Sequence, residues 1–215
     1  MPGKLPKTIW VYRILHYKNS EYTLRNGIYT RDSPKADPNY INIGDSGLIE
    51  QRNDFPVPIP PSGNLGDYVP FYFGTHSPML LNIKTGYRGV TKRPERDIIY
   101  FCCDVRSLMN HCAEWVFTDG HAKNSITEFF NTPGDLKEVD WDIVRERYWS
   151  NNEDDFDRMR RKQAEFLVKN HVPQRCIGQI VVFDDDMEKC LKKILAKLKL
   201  TIAVQVDAAG EYYYR

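Results

Sequence analysis

The sequence predicts an α+β fold that forms a single domain over residues 1–215. Short apolar and aromatic runs that are typical of strands alternate irregularly with short helical patterns, so no regular βαβ repeat emerges. The chain also lacks the Gly-x-Gly-x-x-Gly fingerprint of dinucleotide-binding Rossmann folds. Two long segments rich in turn residues, 30–66 and 118–165, interrupt the pattern, and such loops in a compact domain are usually functional.

The composition is that of an ordinary globular protein. Hydrophobic residues make up 41% of the chain and charged residues 27%, and no apolar run approaches the roughly 20 residues of a membrane span. The N-terminal segment has no apolar core of a secretion signal, so we expect a cytoplasmic protein. Five cysteines without Cys-x-x-Cys spacing predict reduced thiols and argue against a metal site. The net charge of +1 does not decide for or against nucleic-acid binding, because basic and acidic segments cancel.

The first half of the chain is predicted to hold three strands and four short helices. Apolar runs predict strands over residues 8–16, 67–73 and 97–104. Helices are predicted over residues 19–26, 48–53, 78–83 and 107–111, the first of them ending at Gly27. The prolines and glycines of residues 56–66 exclude both a helix and a central strand there.

The second half is predicted to contain five strands and three helices. The strands are expected over residues 115–118, 163–168, 176–183, 201–206 and 211–214. Helices are expected over residues 124–131, 140–149 and 184–198. The last helix has the clearest pattern, because Met187, Leu191, Ile194, Leu195 and Leu198 recur on one stripe.

Glu165 occupies an unusual position for a carboxylate. Four cations precede it, at Arg158, Arg160, Arg161 and Lys162, and an apolar strand-like run follows it. Since Glu is depleted in strands, its carboxylate is either held for a cation or a sugar hydroxyl, or paired with one of the neighbouring arginines at a strand edge. These residues alone favour the ion pair.

Five further segments carry polar, glycine or aromatic residues suited to a ligand site: 12–16, 25–28, 48–53, 66–80 and 117–122. Together with residues 163–166, and in this order, they resemble the DarT-type ADP-ribosyltransferase toxins, which modify bases of single-stranded DNA. The resemblance covers residues 9–182 and depends on the set of motifs, since none of them suffices alone. It implies the ADP-ribosyltransferase fold, a split pair of small mixed β-sheets with NAD in the cleft.

The resemblance implies that NAD, as co-substrate and without a metal, lies against a defined set of residues: His16, Tyr17, Lys18, Asn26, Gly27, Ile28, Arg52 and Tyr72. The residue types alone leave other roles open. His16 also suits a cap at a strand end, and Gly27 a helix stop. A guanidinium such as that of Arg52 can hold a diphosphate or a carboxylate with two parallel hydrogen bonds.

The resemblance further implies that Glu165 and Arg52 are catalytic. Cleavage of the bond between nicotinamide and ribose develops positive charge on the sugar, as in glycoside hydrolysis. A carboxylate beneath the ribose can accept a hydrogen bond from the 2′-hydroxyl and stabilise that charge. Because nicotinamide is already a good leaving group, one carboxylate is enough.

The loop that ends at Glu165 is expected, by the same resemblance, to contact the DNA strand. Phe117 would stack on a base, His121 would position it or hydrogen-bond the loop, and the cations at Arg158, Arg160, Arg161 and Lys162 would contact phosphates. Without the resemblance, this basic run is equally well a solvated helix face. Single-stranded DNA is the expected acceptor, because a base enclosed in a duplex cannot present its edge to the sugar.

The implied function is that of a toxin enzyme, a pentosyltransferase that moves ADP-ribose from NAD to a base of single-stranded DNA and releases nicotinamide. Thymine is the expected base, because segments 67–80 and 158–168 look most like the thymidine-modifying branch. The alternatives are an enzyme that modifies guanine in DNA, RNA or protein, and a catalytically silent NAD- or nucleic-acid-binding module. The resemblance also implies a macrodomain antitoxin as partner, and we expect a monomer that binds no membrane.

Overall fold

A computed structural model describes residues 3–215 of the protein. Residues 1 and 2, at the start of the segment in which the sequence predicts no secretion signal, lie outside the described part. The helices are α1 Ser20–Asn26, α2 Ser46–Asn53, α3 Pro78–Thr85, α4 Val105–His111, α5 Arg158–Lys162 and α6 Asp185–Leu198. The strands are β1 Trp10–His16, β2 Ile28–Tyr29, β3 Tyr68–Tyr72, β4 Ile98–Asp104, β5 Trp115–Thr118, β6 Phe129–Phe130, β7 Glu165–Lys169, β8 His171–Val172, β9 Ile177–Val182 and β10 Ala203–Val206.

Eight of the strands form one mixed sheet in the order β10-β9-β4-β1-β3-β7-β5-β6. Only β10 runs parallel to its neighbour, β9; the other pairs are antiparallel. Strands β2 and β8 form a separate two-stranded sheet. The arrangement confirms the predicted α+β class, and these two short strands are additions that the sequence reading missed.

The large sheet is almost divided between β1 and β3. Strand β1 pairs with β4 along its whole length, but it meets β3 only where Tyr12 faces Tyr72. Pro70 in β3 has no N–H to donate, and its carbonyl accepts a hydrogen bond from Nη1 of Arg13 at 3.0 Å instead of from the β1 backbone. The sheet therefore narrows to one residue pair between β1 and β3. The resemblance implied a split pair of small sheets, and the structure instead has one large mixed sheet with this narrow joint.

The core covers both faces of the sheet. Every residue of β4 except Asp104 is buried, and α6 packs Met187, Leu191 and Leu195 onto one face, as its stripe predicts. All five cysteines are free thiols. No helix within residues 3–215 has the length and apolar character needed to cross a membrane.

The predicted helix over residues 124–131 is wrong. Residues 121–127 form turns in which Thr127 Oγ1 donates to the carbonyl of His121, and Asp119 Oδ1 accepts from the N–H of Glu128. Phe129 and Phe130 then form β6 at the sheet edge. The turn bonds use the polar groups that a helix would need, and aromatic residues favour strands.

Two other predictions fail for a similar reason, because side chains capture the backbone. Residues 140–149 contain only a 3₁₀ turn, Ile143–Arg145, since the buried amino group of Lys162 donates to the carbonyls of Val144 and Glu146. Residues 211–214 form no strand, because the Asp207 carboxylate accepts from the three successive N–H groups of residues 211–213. Asp207 is itself buried, so this tail is fixed without a strand partner.

Candidate active site

A cavity of about 540 Å³ lies where the sheet divides. Its lining includes Tyr12 of β1, Tyr72 of β3 and Glu165 of β7, three residues that stand in register across adjacent strands. The loop of residues 30–45 and helix α2 form another wall. The volume falls within the roughly 300–1,000 Å³ of small-ligand sites, so the divided sheet provides a pocket with a carboxylate at the junction of its halves.

Glu165 is held from its backbone and from both carboxylate oxygens. Its N–H donates to Oγ1 of Thr118 at 3.1 Å. Oε1 accepts from Nη1 of Arg52 at 3.1 Å and from the N–H of Ala122 at 3.0 Å. Oε2 accepts from Nη2 of Arg52 at 2.8 Å. Only 2% of the residue is exposed, so the carboxylate has one fixed orientation in the cavity.

Arg52 reaches this carboxylate from the last turn of α2. The helix begins with Asp45 as N-cap, whose side chain accepts from the N–H of Leu48. None of the residues of α2 is buried, so apolar packing does little to fix the helix. The two-pronged contact with Glu165 is therefore a main attachment of α2 to the sheet.

The ion pair keeps both partners charged. Burial alone would raise the pKa of Glu165, but the charge of Arg52 and the hydrogen bonds from Arg52 and Ala122 hold it below its usual value. The side chain of Arg52 is partly buried, at 13% exposed, which alone would lower its pKa, and Glu165 raises it instead. Burial, with Glu165 nearby, also raises the pKa of Tyr72. The site thus presents an ionised carboxylate beside a neutral phenol.

His121 lines the cavity at the start of the loop that leads to Glu165. Its backbone N–H donates to the carbonyl of Arg160 at 2.9 Å, and its ring Nδ1 accepts from the backbone N–H of Lys123 at 3.3 Å. Burial lowers the pKa of His121, against a smaller opposing effect of Glu165. The neutral ring then carries its proton on Nε2 and can donate a hydrogen bond from there.

The residues expected around NAD separate into two groups. Gly27, Ile28, Arg52 and Tyr72 line the cavity together with Glu165. The other four, His16, Tyr17, Lys18 and Asn26, do not.

These four have local roles. His16 accepts from the N–H of Lys18 at the end of β1 and stacks on Tyr17, and Asn26 Nδ2 donates to the carbonyl of Tyr22 within α1. The capping role that the residue type of His16 left open is the one seen here, and contact of these four residues with NAD stays a prediction.

The cations of the basic run before Glu165 are engaged within the protein, and their contact with DNA phosphates stays a prediction. Arg160 pairs with Asp157 and Asp119, and Arg161 pairs with Asp140, Asp155 and Asp157. Lys162 is 1% exposed. Arg158 donates to the carbonyl of Tyr148 at 3.0 Å. The run stabilises the long loop, because each of these cations already has a protein partner.

Phe117 is unsuited to the stacking on a DNA base that the resemblance implies. It is fully buried in β5, where its ring stacks against Phe166 and Phe130. Within the long segment 118–165, the exposed aromatic residues are Tyr148 and Phe156, which are 81% and 78% exposed.

The sequence reading also missed Arg13 and Met79, which line the cavity. A cation in the middle of the otherwise apolar β1 was the available signal for Arg13. Met79 gave no such signal, because a methionine in the first turn of a helix is an ordinary core residue.

Comparison with known proteins connects this geometry to a family. The profile of the family described as "ssDNA thymidine ADP-ribosyltransferase, DarT" matches residues 12–214. A protein named DNA ADP-ribosyl transferase from Escherichia coli O127:H6 (strain E2348/69 / EPEC) is 34% identical over 208 residues, which cover 97% of this chain and 95% of the relative.

Solved structures match over the same length. Thermus sp. 2.9 DarT in complex with ADP-ribosylated ssDNA superposes with a TM-score of 0.87 at 29% identity and covers 99% of this chain and 100% of its own. The complex of the Thermus sp. 2.9 protein with NAD+ gives a TM-score of 0.83 at 28% identity over 98% of this chain and 100% of its own. Sequence and structure agree over nearly the whole chain, and the protein belongs to the DarT family of single-stranded DNA thymidine ADP-ribosyltransferases.

Proposed function

We propose that this protein transfers ADP-ribose from NAD to a thymine of single-stranded DNA, with the reaction centred on Glu165. The observation that carries the proposal is the buried, ionised carboxylate that Arg52 holds in the lining of a cavity of about 540 Å³. A buried charge of this kind is costly unless it is paired. Its retention in a ligand-sized cavity therefore favours a catalytic role over a structural one.

Glu165 acts on the ribose. Its Oε2 accepts one hydrogen bond from Arg52, which leaves acceptor capacity for the 2′-hydroxyl of the nicotinamide ribose. As the bond between C1′ and the nicotinamide nitrogen breaks, nicotinamide leaves with the bonding electrons and positive charge grows on the sugar. The fixed negative charge stabilises that transition state more than the bound substrate, which is what accelerates the reaction.

Arg52 has two tasks in this scheme. Its paired hydrogen bonds fix both oxygens of Glu165 in one plane, and its charge keeps the carboxylate ionised despite burial. Three N–H donors remain on the guanidinium beyond the two used for Glu165. One of them can meet the NAD diphosphate or the incoming base.

Gly27, Ile28 and Tyr72 form the nicotinamide-ribose end of the proposed site. Gly27 has a φ of 86°, and a Cβ there would lie 2.4 Å from Nε2 of His171 and 2.5 Å from the carbonyl of Val172. Only glycine fits, because a side chain there would collide with β8, so this wall of the cavity packs directly against that strand. Tyr72, neutral and directly opposite Glu165 in the sheet, offers a ring face for nicotinamide.

The acceptor strand approaches past His121 in this proposal. A neutral His121 with its proton on Nε2 donates a hydrogen bond to a carbonyl oxygen of the base. Thymine has two such oxygens. We assign base stacking to Tyr148 and Phe156, because they are the exposed aromatics of the loop that contains His121. This replaces the stacking role first expected of Phe117.

The partner and the assembly state are also proposals. A macrodomain antitoxin that removes the modification fits the family resemblance, and the monomer fits a cavity formed within one chain. We place the reaction in the cytoplasm, where both NAD and exposed single-stranded DNA occur.

The test is incubation of the protein with NAD radiolabelled in the ADP-ribose part and a panel of oligonucleotides. The panel holds single-stranded DNA rich in thymine, DNA with thymine replaced by uracil or with guanine as the only modifiable base, duplex DNA and RNA. We expect label only on single-stranded DNA that contains thymine, with release of nicotinamide. Mass spectrometry of nucleosides then locates the ADP-ribose.

Each competing acceptor has its own signature in this panel. Label on the thymine-free guanine oligonucleotide would move the activity to the guanine branch, and label on RNA or on the protein itself would replace DNA as the substrate. Absence of label on every acceptor, with NAD still bound, would contradict an enzyme and favour a binding module.

A further inference from the structure

Asn19 makes a contact that the reaction scheme does not use. It lies in the short turn between β1 and α1 and is 1% exposed. Its Nδ2 donates to the carbonyl of Ile41 at 2.9 Å, and its Oδ1 accepts from the N–H of Ile41 at 2.9 Å. One side-chain amide thus satisfies both backbone polar groups of a residue that lies 22 positions away.

Ile41 belongs to the loop of residues 30–45, which forms a wall of the cavity through Asp37, Tyr40 and Asn42. The loop contains no helix or strand until α2 begins at Ser46. Between residues 31 and 44, its hydrogen bonds to described parts of the chain outside the loop come from Asn19 and from Tyr22, whose hydroxyl donates to the carbonyl of Lys35 at 3.2 Å. At the two ends of the loop, the N–H of Thr30 donates to the carbonyl of Asn170 at 3.0 Å, and Asp45 caps α2.

The Asn19 contact is the stronger of these two attachments. The Tyr22 bond is exposed, where water competes for both groups, whereas Asn19 is buried and an unmade hydrogen bond there leaves polar groups unsatisfied. Asn19 is itself fixed, because Oγ1 of Thr23 donates to its carbonyl at 2.9 Å.

Beyond Ile41 the chain buries Ile43 in the apolar cluster that contains Leu80 and Ile83 and then enters α2. Few contacts attach this loop, so without the two hydrogen bonds between Asn19 and Ile41, here called the clamp, ordering the loop would cost more conformational entropy. The clamp therefore sets both the cavity wall and the start of the helix that carries Arg52.

We propose that Asn19 is a positioning residue for NAD, which clamps Ile41 and so keeps the loop of residues 30–45 folded as a preformed wall of the cavity. The inference rests on the proposed function, because it takes NAD as the occupant. With the clamp intact the substrate meets an ordered wall. Without it, only the fraction of molecules with an ordered loop binds, and the apparent dissociation constant rises in proportion.

The first experiment needs no NAD. The loop contains two trypsin sites, at the exposed residues Arg31 and Lys35. Limited digestion of wild-type protein and of Asn19→Ala, followed by mass spectrometry, reports the rate of cleavage after these two residues. We expect the variant to be cleaved about tenfold faster there, because cleavage follows local opening of the loop.

The second experiment measures NAD binding and turnover. Calorimetry on Asn19→Ala should give a dissociation constant for NAD about tenfold above that of the wild type. At saturating NAD, kcat should stay within about threefold of the wild type, because Glu165 and Arg52 are unchanged. A fall in kcat with unchanged NAD affinity would overturn the assignment.

Two further variants separate the clamp from general destabilisation. Val182→Ala truncates a fully buried side chain in β9 that does not line the cavity, so it should lower the unfolding free energy without raising the rate of cleavage after residues 31 and 35. Equal cleavage in Val182→Ala and Asn19→Ala would overturn the proposal. Asn19→Asp keeps the size and the acceptor for Ile41 but loses the donor, and we expect loosening of the loop there too.

The outcomes also separate this inference from the proposed function. If Asn19→Ala is cleaved faster but the wild-type protein binds no NAD, the clamp is supported and NAD is not the ligand of the cavity. That outcome would overturn the positioning role of Asn19. Wild-type cleavage in both Asn19 variants would overturn the clamp and leave the proposed function intact. Loss of folding in both, by circular dichroism, would overturn it as well, since Asn19 would then support the whole fold.

Discussion

Arg52 and Glu165 lie 113 residues apart in the sequence and form a two-pronged ion pair, with Nη1–Oε1 at 3.1 Å and Nη2–Oε2 at 2.8 Å. The pair joins α2, a helix without buried residues, to β7, the strand whose Glu165 lines the cavity. It also holds the carboxylate ionised in a site where burial opposes charge. One contact therefore determines both the shape of the site and its electrostatics.

We predict that Glu165→Gln reduces transfer of ADP-ribose by about 10²–10³ while NAD affinity changes only a few-fold, because the lost charge acts mainly in the transition state. Radiolabel transfer and calorimetry measure the two quantities. Glu114→Gln is the matched control, since Glu114 is exposed and pairs only with Lys169. Near wild-type transfer by Glu165→Gln, with correct folding, would remove Glu165 from the mechanism.

Arg52→Lys should restore little of the activity lost in Arg52→Ala, because an ammonium cannot reproduce the two parallel hydrogen bonds. In Arg52→Ala the main effect that lowers the pKa of Glu165 is gone while burial remains, so that pKa rises. The acidic limb of the pH–rate profile should then move to higher pH, and part of the activity should return as pH increases.

The pH–rate profiles of both Arg52 variants provide the measurement. Arg25→Ala serves as control, because Arg25 forms an exposed ion pair with Glu21 on α1. Full activity in Arg52→Lys, or an acidic limb that stays in place in Arg52→Ala, would show that the guanidinium does not govern the carboxylate.

The sequence led to Glu165 but not to its partner. The residue types favoured an ion pair with a neighbouring arginine, and an ion pair is present, yet Arg160 and Arg161 are occupied by aspartates of the loop. Partners that only the folded chain brings together cannot be read from local spacing. The same limit applies to Asn19, because an asparagine before a helix looks like an ordinary cap.

Elements with a strong apolar pattern were predictable, and those shaped by side-chain capture of the backbone were not. Strand β4 and helix α6 lie where their patterns place them. Residues 140–149 and 211–214 have helical and strand-like compositions, but Lys162 and Asp207 take the backbone groups that those elements would need. Only the family resemblance assigned chemistry to the cavity, since composition and periodicity carry none.

Arg160→Ala tests whether the basic run is structural. Arg160 is 10% exposed as a side chain and pairs with Asp157 and Asp119, so we expect a loss of about 2 kcal/mol in unfolding free energy. Urea unfolding measures it, with the exposed Lys192→Ala on α6 as control.

Binding of single-stranded DNA to Arg160→Ala is the second test. If Arg160 contacted a phosphate, its removal would reduce the slope of log K against log salt by about 0.7. Because Arg160 is paired within the protein, we expect a much smaller change in that slope. A full reduction of the slope, with unchanged stability, would return Arg160 to the DNA interface.

Lys162 should make folding stability depend on pH. Burial lowers its pKa to about 7, against a smaller opposing effect of Glu146, from an ordinary value of 10.5. Between these two values the unfolded chain holds the proton and the folded chain has released it, so the unfolded state binds more protons. Unfolding free energy from this group therefore rises with pH from about 7 towards 10.5 and is flat below that window.

Lys162→Met removes this dependence. The variant fills the aliphatic space but leaves the carbonyls of Val144 and Glu146 without their donor, so we expect lower stability at every pH, by about 1–3 kcal/mol near pH 7. Urea unfolding of both proteins at pH 7, 8 and 9 isolates the group by difference, and Lys192→Met controls for an exposed lysine. The gap between wild type and Lys162→Met should widen as pH rises; parallel curves would show that Lys162 keeps its proton when buried.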